Sequence, residues 1–275
     1  MREVLLSEAG FEMPLIRSTL IPDEFRHGFT TRLGGVSVPP FDSLNVGGKW
    51  GDRPDHVAEN QRRLRIAAGV DRIFFGTQVH GRDSTLVPAG AILEEIAVAR
   101  GDAVIAVAPG TAVGVYVADC VPVLIADVRS GACAAVHAGW RGTVAGVLSA
   151  TLQRMVAELG TRISDVRVAI GPSIGPCCFE VGPEVVSAVD TAFPAARAAG
   201  AVVEPVAGER LHVDLWTLNR LAAESTGVAT DAIDVAGACT SCNPSRFFSY
   251  RRDRGMTGQL AAFIVRAREP PSFAA

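Results

Sequence analysis

Three polar residues interrupt apolar segments of this sequence, and all three are of types that bind metal ions. His80 ends an apolar segment just ahead of Gly81, His137 ends another just before a Gly-rich turn, and Cys120 lies inside the apolar segment 117–123. Burying an unpartnered polar group costs about 1–3 kcal/mol, so these side chains are expected to meet one another. Two imidazoles and one thiolate suit Zn²⁺, and a catalytic zinc site leaves its fourth position to water. The spacing is not that of a zinc finger, so satisfied polar groups in the core remain the alternative.

A second cysteine pattern, from Cys239 to Cys242, is the only C-x-x-C in the chain. A structural zinc there would need two more ligands, and Cys177 and Cys178 would supply them only if folding happened to bring them close. A redox role would need a thioredoxin-like βαβ context, which the sequence does not have. We therefore interpret these four residues as buried or turn cysteines.

The segments that position these residues are β-like runs beside isolated amphipathic helices. Apolar residues recur every three or four positions from Val144 to Leu159, which predicts a helix that Gly160 ends. Asp55 and Asp214 are expected to cap two further helices, and residues 183–191 read as another. Strands are predicted within residues 1–30 and at residues 74–80, 84–88, 102–107, 114–118, 121–127, 133–137, 166–171, 233–236, 247–250 and 260–265. Regular βαβ alternation is absent, which predicts an α+β fold, a layered α/β sandwich with a mixed central β-sheet.

Composition limits the classes of function. The chain has 275 residues, 48% of them hydrophobic, so it can bury a large core, and we expect residues 1–275 to form a single domain. A net charge of −3 gives no basic field for nucleic acid. The N-terminus lacks a secretory signal, and no apolar run reaches the roughly 18 residues of a membrane helix. We therefore expect a cytoplasmic protein without a nucleic-acid or membrane partner.

Five longer motifs follow one another along the chain. They are Thr77-Gln78-Val79-His80-Gly81, Ala118-Asp119-Cys120-Val121-Pro122, Val136-His137-Ala138-Gly139-Trp140-Arg141-Gly142, Ile170-Gly171-Pro172-Ser173-Ile174-Gly175-Pro176-Cys177-Cys178 and Phe248-Ser249-Tyr250-Arg251-Arg252-Asp253. This set resembles the motifs of the YfiH-like, laccase-domain family, also called polyphenol oxidase-like or purine nucleoside phosphorylase of the YfiH type. The resemblance extends from about His27 to Val265, and motifs this long, in this order, are specific.

The resemblance implies a layered α/β fold with a mixed sheet and a zinc ion held by His80, Cys120 and His137. It also implies phosphorolysis of adenosine, inosine and methylthioadenosine, together with deamination of adenosine. Purine nucleosides and phosphate are thus the expected small-molecule partners, and the sequence leaves the oligomeric state open. One departure is Gln259, which stands where the family pattern leads us to expect a basic residue.

Phosphorolysis needs a cationic pocket, and Arg binds phosphate through two parallel hydrogen bonds. Arg141 is a candidate catalytic residue, and Arg32 and Arg251 are candidate substrate-binding residues, because Arg141 and Arg251 lie in these motifs and Arg32 lies in the Gly-rich loop at residues 30–37. Asp119 is the second candidate catalytic residue, since it could orient a ligand or move a proton, and a structural role is equally open. The His-x-Glu signature of cytidine deaminases is absent, so deamination by a zinc-activated water would need a different acid and base.

Three other functions compete with this one. Copper, the second candidate metal, would make the protein a polyphenol oxidase, but five His are few for a multicopper site and no Met ligand is evident. A metal-free cysteine hydrolase would use Cys120 as nucleophile and His137 as base. A metal-stabilised binding module would hold zinc without turnover.

Overall fold

The computed structural model describes residues 1–203 and 210–267, and its fold is α+β with mixed β-sheets, as the sequence predicts. The strands are β1 (Arg2–Glu8), β2 (Phe11–Arg17), β3 (Phe25–Thr30), β4 (Ile73–Phe74), β5 (Ser84–Val87), β6 (Ala103–Ala106), β7 (Ala112–Val117), β8 (Val121–Asp127), β9 (Cys133–Ala138), β10 (Val166–Ile170), β11 (Val202–Val203), β12 (His212–Val213), β13 (Ile233–Val235) and β14 (Leu260–Arg266). The α-helices are α1 (Pro54–Ala68), α2 (Leu93–Val98), α3 (Trp140–Ala145), α4 (Val147–Leu159), α5 (Pro183–Ala192) and α6 (Leu215–Ser225).

Twelve of the described strands form two separate six-stranded sheets. The sequence predicts a single central sheet, so the structure corrects the number of sheets from one to two. Sheet 1 has the order β1-β2-β3-β14-β7-β4, and sheet 2 has the order β13-β10-β8-β9-β6-β5. Both are mixed, because β4 pairs in parallel with β7, β10 with β13 and β5 with β6, while the other pairs are antiparallel. The strands β11 and β12 form a separate two-stranded ribbon.

The sheets pack face to face, with helices on both outer sides. Side chains such as Phe29 and Leu124 fill the space between the sheets. Helix α1 packs through Leu64 on the outer face of sheet 1, and helices α4 to α6 cover sheet 2. Every residue of β8 is buried, because both faces of sheet 2 are covered. Val123, for example, packs against the helices, and its neighbour Leu124 packs against sheet 1. A strand covered on both faces reads as a continuous apolar run rather than an alternating one.

Several predicted elements are confirmed with local corrections. The Asp214 carboxylate accepts hydrogen bonds from the backbone N–H groups of Trp216 and Thr217 and so caps α6. Asp55 lies in the first turn of α1 and pairs with Arg53, so it is not the cap residue. The predicted helix from Val144 to Leu159 is split into α3 and α4 at Gly146, whose φ is 81°. Gly160 ends α4, as predicted.

Two predicted strands are largely irregular. Only the first residue of the predicted strand 74–80 is extended in β4, and the rest forms a loop toward the site. Residues 247–250 form no strand, although Phe247 and Phe248 are fully buried. Helix α2 was not predicted. None of the described helices has the length and apolar character needed to cross a membrane.

Candidate metal centre and cavity

The three predicted metal ligands meet at one end of sheet 2. Strands β8 and β9 are antiparallel, with Val121 opposite Ala138, so Cys120, just before β8, lies beside the end of β9 that carries His137. His80 comes from the loop between β4 and β5. The ligand atoms of the three residues all lie within 4.8 Å of one another, and His80 Nε2 is 4.0 Å from Cys120 Sγ. Such a group can hold a metal ion.

Asp102, a residue that the sequence analysis did not single out, fixes the two histidines. It is fully buried just before β6, and its Oδ1 lies 2.8 Å from His137 Nδ1 and accepts a hydrogen bond from the backbone N–H of His80 at 2.9 Å. Its Oδ2 accepts from the backbone N–H groups of Val79 and Gly81, at 3.1 and 2.7 Å. With Nδ1–H directed at the carboxylate, His137 keeps Nε2 free as a ligand atom.

The charges of the site favour a thiolate. Burial opposes ionisation of Cys120, but the attraction of His137 and hydrogen bonds from His137 and His80 outweigh it and lower its pKa to about 6. Burial likewise opposes a charge on His137, yet Cys120 and Asp102 raise its pKa to about 9. The thiol is therefore ready to lose its proton to a metal or to the imidazole.

Gly139 leaves room for the ligands. A Cβ built on this residue would lie 2.9 Å from Cys120 Sγ and 3.1 Å from His80 Cδ2. Its φ is −65°, which any residue adopts, so space alone explains the need for glycine here. The turn after β9 thus brings its backbone against two of the ligand side chains.

A cavity of about 680 Å³ opens over the three ligands. Five aromatic residues contribute to its wall, namely Trp50, Tyr116, Trp140, Phe179 and Tyr250. Lys49 and Arg251 add two cationic side chains, and Gln78 and Gln259 add amides. The Gln78 amide is already engaged, because it exchanges two hydrogen bonds of 2.8 Å with the backbone of Tyr116. The volume falls in the range of small-molecule sites.

Asp119 links two of the segments that line this cavity. Its φ is 86°, and its side chain is buried. One carboxylate oxygen accepts a hydrogen bond from Thr240 Oγ1 and the other from the backbone N–H of Arg251, both at 2.6 Å. Asp119 therefore ties the segment before β8 to the loop that carries Arg251.

The three predicted arginines occupy different places. Arg251 lines the cavity, and its guanidinium donates to the carbonyl of Cys178 at 3.1 Å. Arg32 donates to the carbonyls of Asp42 and Pro244 and forms an ion pair with the Asp42 carboxylate. Arg141 is exposed and lies over the ring of Trp140 at 4.3 Å. Of the three, only Arg251 is among the residues that line the cavity.

Sequence reasoning missed Asp102 and Lys49. Asp102 is a charged residue at the head of the apolar segment 103–107, and that position was the available signal. Lys49 is the only lysine of the chain, but it lies in no motif used above. Its approach to the cavity depends on the fold of the 31–53 loop.

The chain is similar to a known family and to several named proteins over most of its length. The family model described as multi-copper polyphenol oxidoreductase laccase matches residues 26–267. Purine nucleoside phosphorylase YfiH of Shigella flexneri is 41% identical over 239 residues, which cover 86% of this chain and 91% of that protein. Human purine nucleoside phosphorylase LACC1 is 34% identical over 261 residues, covering 92% of this chain and 58% of the human protein. The crystal structure of the hypothetical protein YfiH from Bacillus licheniformis superposes with a TM-score of 0.85 at 30% identity, over 95% of this chain and 98% of that one.

Proposed function

Because the chain belongs to the YfiH-like, laccase-domain family, we propose that it is a zinc-dependent purine nucleoside phosphorylase. Its substrates would be adenosine, inosine and methylthioadenosine, which phosphate converts to the free base and ribose 1-phosphate or methylthioribose 1-phosphate. Deamination of adenosine to inosine would be a second reaction of the same cavity. The names of the relatives support phosphorolysis, and the features of the cavity support the metal and the substrate class.

The observation that carries this proposal is a His₂Cys donor set opening into an aromatic and cationic cavity. Zinc binds thiolate at about 2.3 Å and imidazole at about 2.0–2.1 Å, so donor atoms within 4.8 Å of one another can share one ion. His80, Cys120 and His137 would hold it and leave the cavity side open. The bound ion would act as a Lewis acid toward an oxygen of water or substrate.

The donor set favours zinc over copper. Blue-copper sites add a weak axial ligand, usually Met, to His₂Cys, and multicopper sites need many more imidazoles. No methionine is among the residues lining this cavity in the part of the chain that the structure describes. His80 and His137 are its only histidines in that lining, so a cluster of coppers lacks ligands.

The wall of the cavity suits a nucleoside and an anion. A purine is flat and apolar on its faces, and aromatic side chains stack on such rings. Lys49 and Arg251 would bind the phosphate, Arg251 through its planar fork of donors. Asp119 would act as a positioning residue, because its hydrogen bond to the backbone of Arg251 fixes the loop that presents this guanidinium.

Product analysis tests the proposal. Zinc-loaded and zinc-free protein are incubated separately with adenosine, inosine and methylthioadenosine, with and without phosphate, and the products are separated by chromatography. From adenosine we expect adenine only when both zinc and phosphate are present, with a rate that saturates in phosphate. Inosine should form with or without phosphate, because deamination consumes only water. Failure of the zinc-loaded protein to consume any of the three nucleosides would refute the proposal.

A metal-free cysteine hydrolase is the second candidate, because the histidines favour a thiolate at Cys120. In that reaction His137 would serve as the base and Asp102 would orient its ring. The same zinc-free sample separates the two functions. If the protein is a cysteine hydrolase, its activity should persist or increase when the metal is removed. If it is the proposed phosphorylase, its activity should be lost.

A further inference from the structure

Four cysteines, distant in sequence, gather outside the cavity. Cys177 and Cys178 follow β10, and Cys239 and Cys242 follow β13. Strands β10 and β13 are parallel neighbours in sheet 2, so the loops that leave their carboxyl ends lie side by side, and Ser173 forms a bridge to Cys239. Cys177, Cys178 and Cys242 lie in turns and Cys239 is buried, as the sequence indicates, and the structure in addition brings all four together.

The sulfur atoms are at distances that suit a shared metal ion. Cys242 Sγ lies 3.3 Å from Cys177 Sγ and 3.2 Å from Cys178 Sγ, and all four sulfurs lie within 4.8 Å of one another. Tetrahedral zinc with Zn–S bonds of about 2.3 Å keeps its four sulfurs about 3.8 Å apart. A disulfide requires about 2.05 Å between sulfurs, and all four cysteines are free.

The surroundings of Cys239 favour a thiolate. The backbone N–H of Gly175 donates a hydrogen bond to Cys239 Sγ at 3.2 Å. A Cβ on Gly175 would lie 2.6 Å from the Trp216 ring and 3.2 Å from Cys239 Cβ, so glycine is needed for this approach. Amide donors of this kind orient and stabilise thiolate ligands from outside the coordination sphere. The cluster therefore has a polar partner beyond its own sulfurs.

The solvent exposure of two of these thiols also favours a bound metal ion. Cys177 and Cys242 are exposed, whereas Cys239 is buried. Exposed thiols packed this closely oxidise readily unless something occupies them. A divalent cation replaces the thiol protons, neutralises part of the thiolate charge and protects the sulfurs, and zinc does so without redox chemistry of its own.

We propose that Cys177, Cys178, Cys239 and Cys242 form a four-thiolate structural zinc site, separate from the His₂Cys centre. Binding exchanges the thiol protons for Zn²⁺ and releases them to the buffer, with no change of oxidation state. The ion fastens the 171–182 loop to the 236–259 loop. Both loops carry cavity residues, Phe179 on the first and Arg251 on the second. The role is structural, because four protein ligands leave no open position.

The site is connected to the cavity by hydrogen bonds. The Arg251 guanidinium donates to the carbonyl of Cys178, and Thr240, next to Cys239, donates to Asp119. Loss of the metal therefore loosens the loop that presents Arg251, while the His₂Cys ligands keep their own supports. This inference stands whether or not the protein acts on nucleosides.

Metal counting tests the proposal on the full-length protein. We expect two zinc ions per chain in the wild type and one in each of Cys120→Ala and Cys242→Ser, with none in the double variant. Cys133→Ala, which removes a buried thiol from the space between the sheets, is the control and should keep both ions. A wild type with a single zinc that Cys120→Ala abolishes would overturn the proposal.

Cobalt and thiol chemistry identify the ligands. Cobalt bound to Cys120→Ala should show the intense visible absorption of a tetrahedral four-thiolate site, and Cys242→Ser should weaken it. The four thiols should resist a thiol reagent until a chelator removes the metal. Iron with inorganic sulfide in the purified protein, or a mass two hydrogens short with fewer titratable thiols, would instead reveal a cluster or a disulfide and overturn the zinc assignment. None of these measurements depends on turnover.

Discussion

Replacing Asp102 by Asn isolates the contribution of the buried carboxylate behind the metal ligands. The carboxylate receives two hydrogen-bonding groups at each oxygen, including His137 Nδ1 at 2.8 Å. Asn keeps only one acceptor oxygen, so the variant loses two of the four bonds and turns an N–H group toward other donors. Hydrogen bonds to charged groups contribute about 1.5–3 kcal/mol each, which places the gross loss at about 3–6 kcal/mol.

Only part of this loss falls on metal binding. Removing a partner of a metal-bound histidine usually weakens metal affinity by about 10–100-fold, which corresponds to about 1.4–2.7 kcal/mol. We expect Asp102→Asn to raise the zinc dissociation constant by that factor, because Nδ1 of His137 loses its acceptor and the 79–81 loop is no longer fixed. Competition with a chromophoric chelator measures this dissociation constant. The zinc of the His₂Cys centre is identified as the one that is absent from Cys120→Ala.

Asp127→Asn is the matched control. Asp127 is also fully buried and accepts hydrogen bonds from Ser130 and the backbone of Arg129. It lies at the far end of β8, roughly 20 Å from Cys120 at ~3.3 Å per residue. This variant should lose stability and keep its zinc affinity. If Asp102→Asn binds zinc as tightly as the wild type, or if both variants weaken it equally, the assigned role of Asp102 is wrong.

The loss of stability in Asp127→Asn should depend on pH. Burial raises the pKa of Asp127, but the hydrogen bonds from Ser130 outweigh it and hold the folded-state pKa below the ordinary value. A lowered folded-state pKa contributes stability above the unfolded value of about 3.9, and the contribution disappears as the pH falls through the folded value. Urea unfolding should therefore show the gap between wild type and Asp127→Asn at pH 7 and its closure below about pH 4.

Four further outcomes are expected. Cys120→Ala should lose the zinc of the His₂Cys centre and its turnover while circular dichroism shows an intact fold, and full zinc with full turnover would remove Cys120 from the ligands. Arg251→Ala should raise the phosphate concentration for half-maximal phosphorolysis about tenfold or more and leave deamination nearly unchanged. Arg141→Ala should raise it less, and equal loss of both reactions would indicate a structural role for that arginine. Gly139→Ala should weaken zinc binding by crowding Cys120, and Gly48→Ala, where a Cβ meets nothing within 4 Å, should not.

The sequence predicts those features that depend on neighbouring residues. The cap of α6 at Asp214 and the end of α4 at Gly160 are local and were confirmed. The metal ligands were suggested by polar residues in apolar segments and then by motifs. Residues 75–80 misled the prediction, because their apolar pattern resembles a strand. Their polar groups bond instead to the Asp102 carboxylate and, through the Gln78 side chain, to the backbone of Tyr116.

Features that depend on strand pairing could not be predicted. Asp102 reaches His137 because β6 pairs with β9, with Ala103 opposite Val136, and no local pattern reveals that register. The four cysteines meet because β10 and β13 are neighbours although two helices and the β11–β12 ribbon lie between them in sequence. Both arrangements are contacts between segments far apart in the chain. The sequence shows which residues are available, but it does not show which strands pair with each other.

The arginines show how the structure separates candidates that the sequence treats alike. A guanidinium offers five donors, and a phosphate site needs some of them free and turned toward the cavity. Arg32 uses its donors on two carbonyls and on the Asp42 carboxylate, so its charge is already paired. Arg251 donates a side-chain hydrogen bond to the carbonyl of Cys178, lies over the ring of Phe179 at 5.4 Å, and lines the cavity. If the cysteine cluster holds zinc, the metal that fixes Cys178 also fixes the carbonyl that orients Arg251, so loss of that zinc should weaken phosphate binding more than metal binding at the His₂Cys centre.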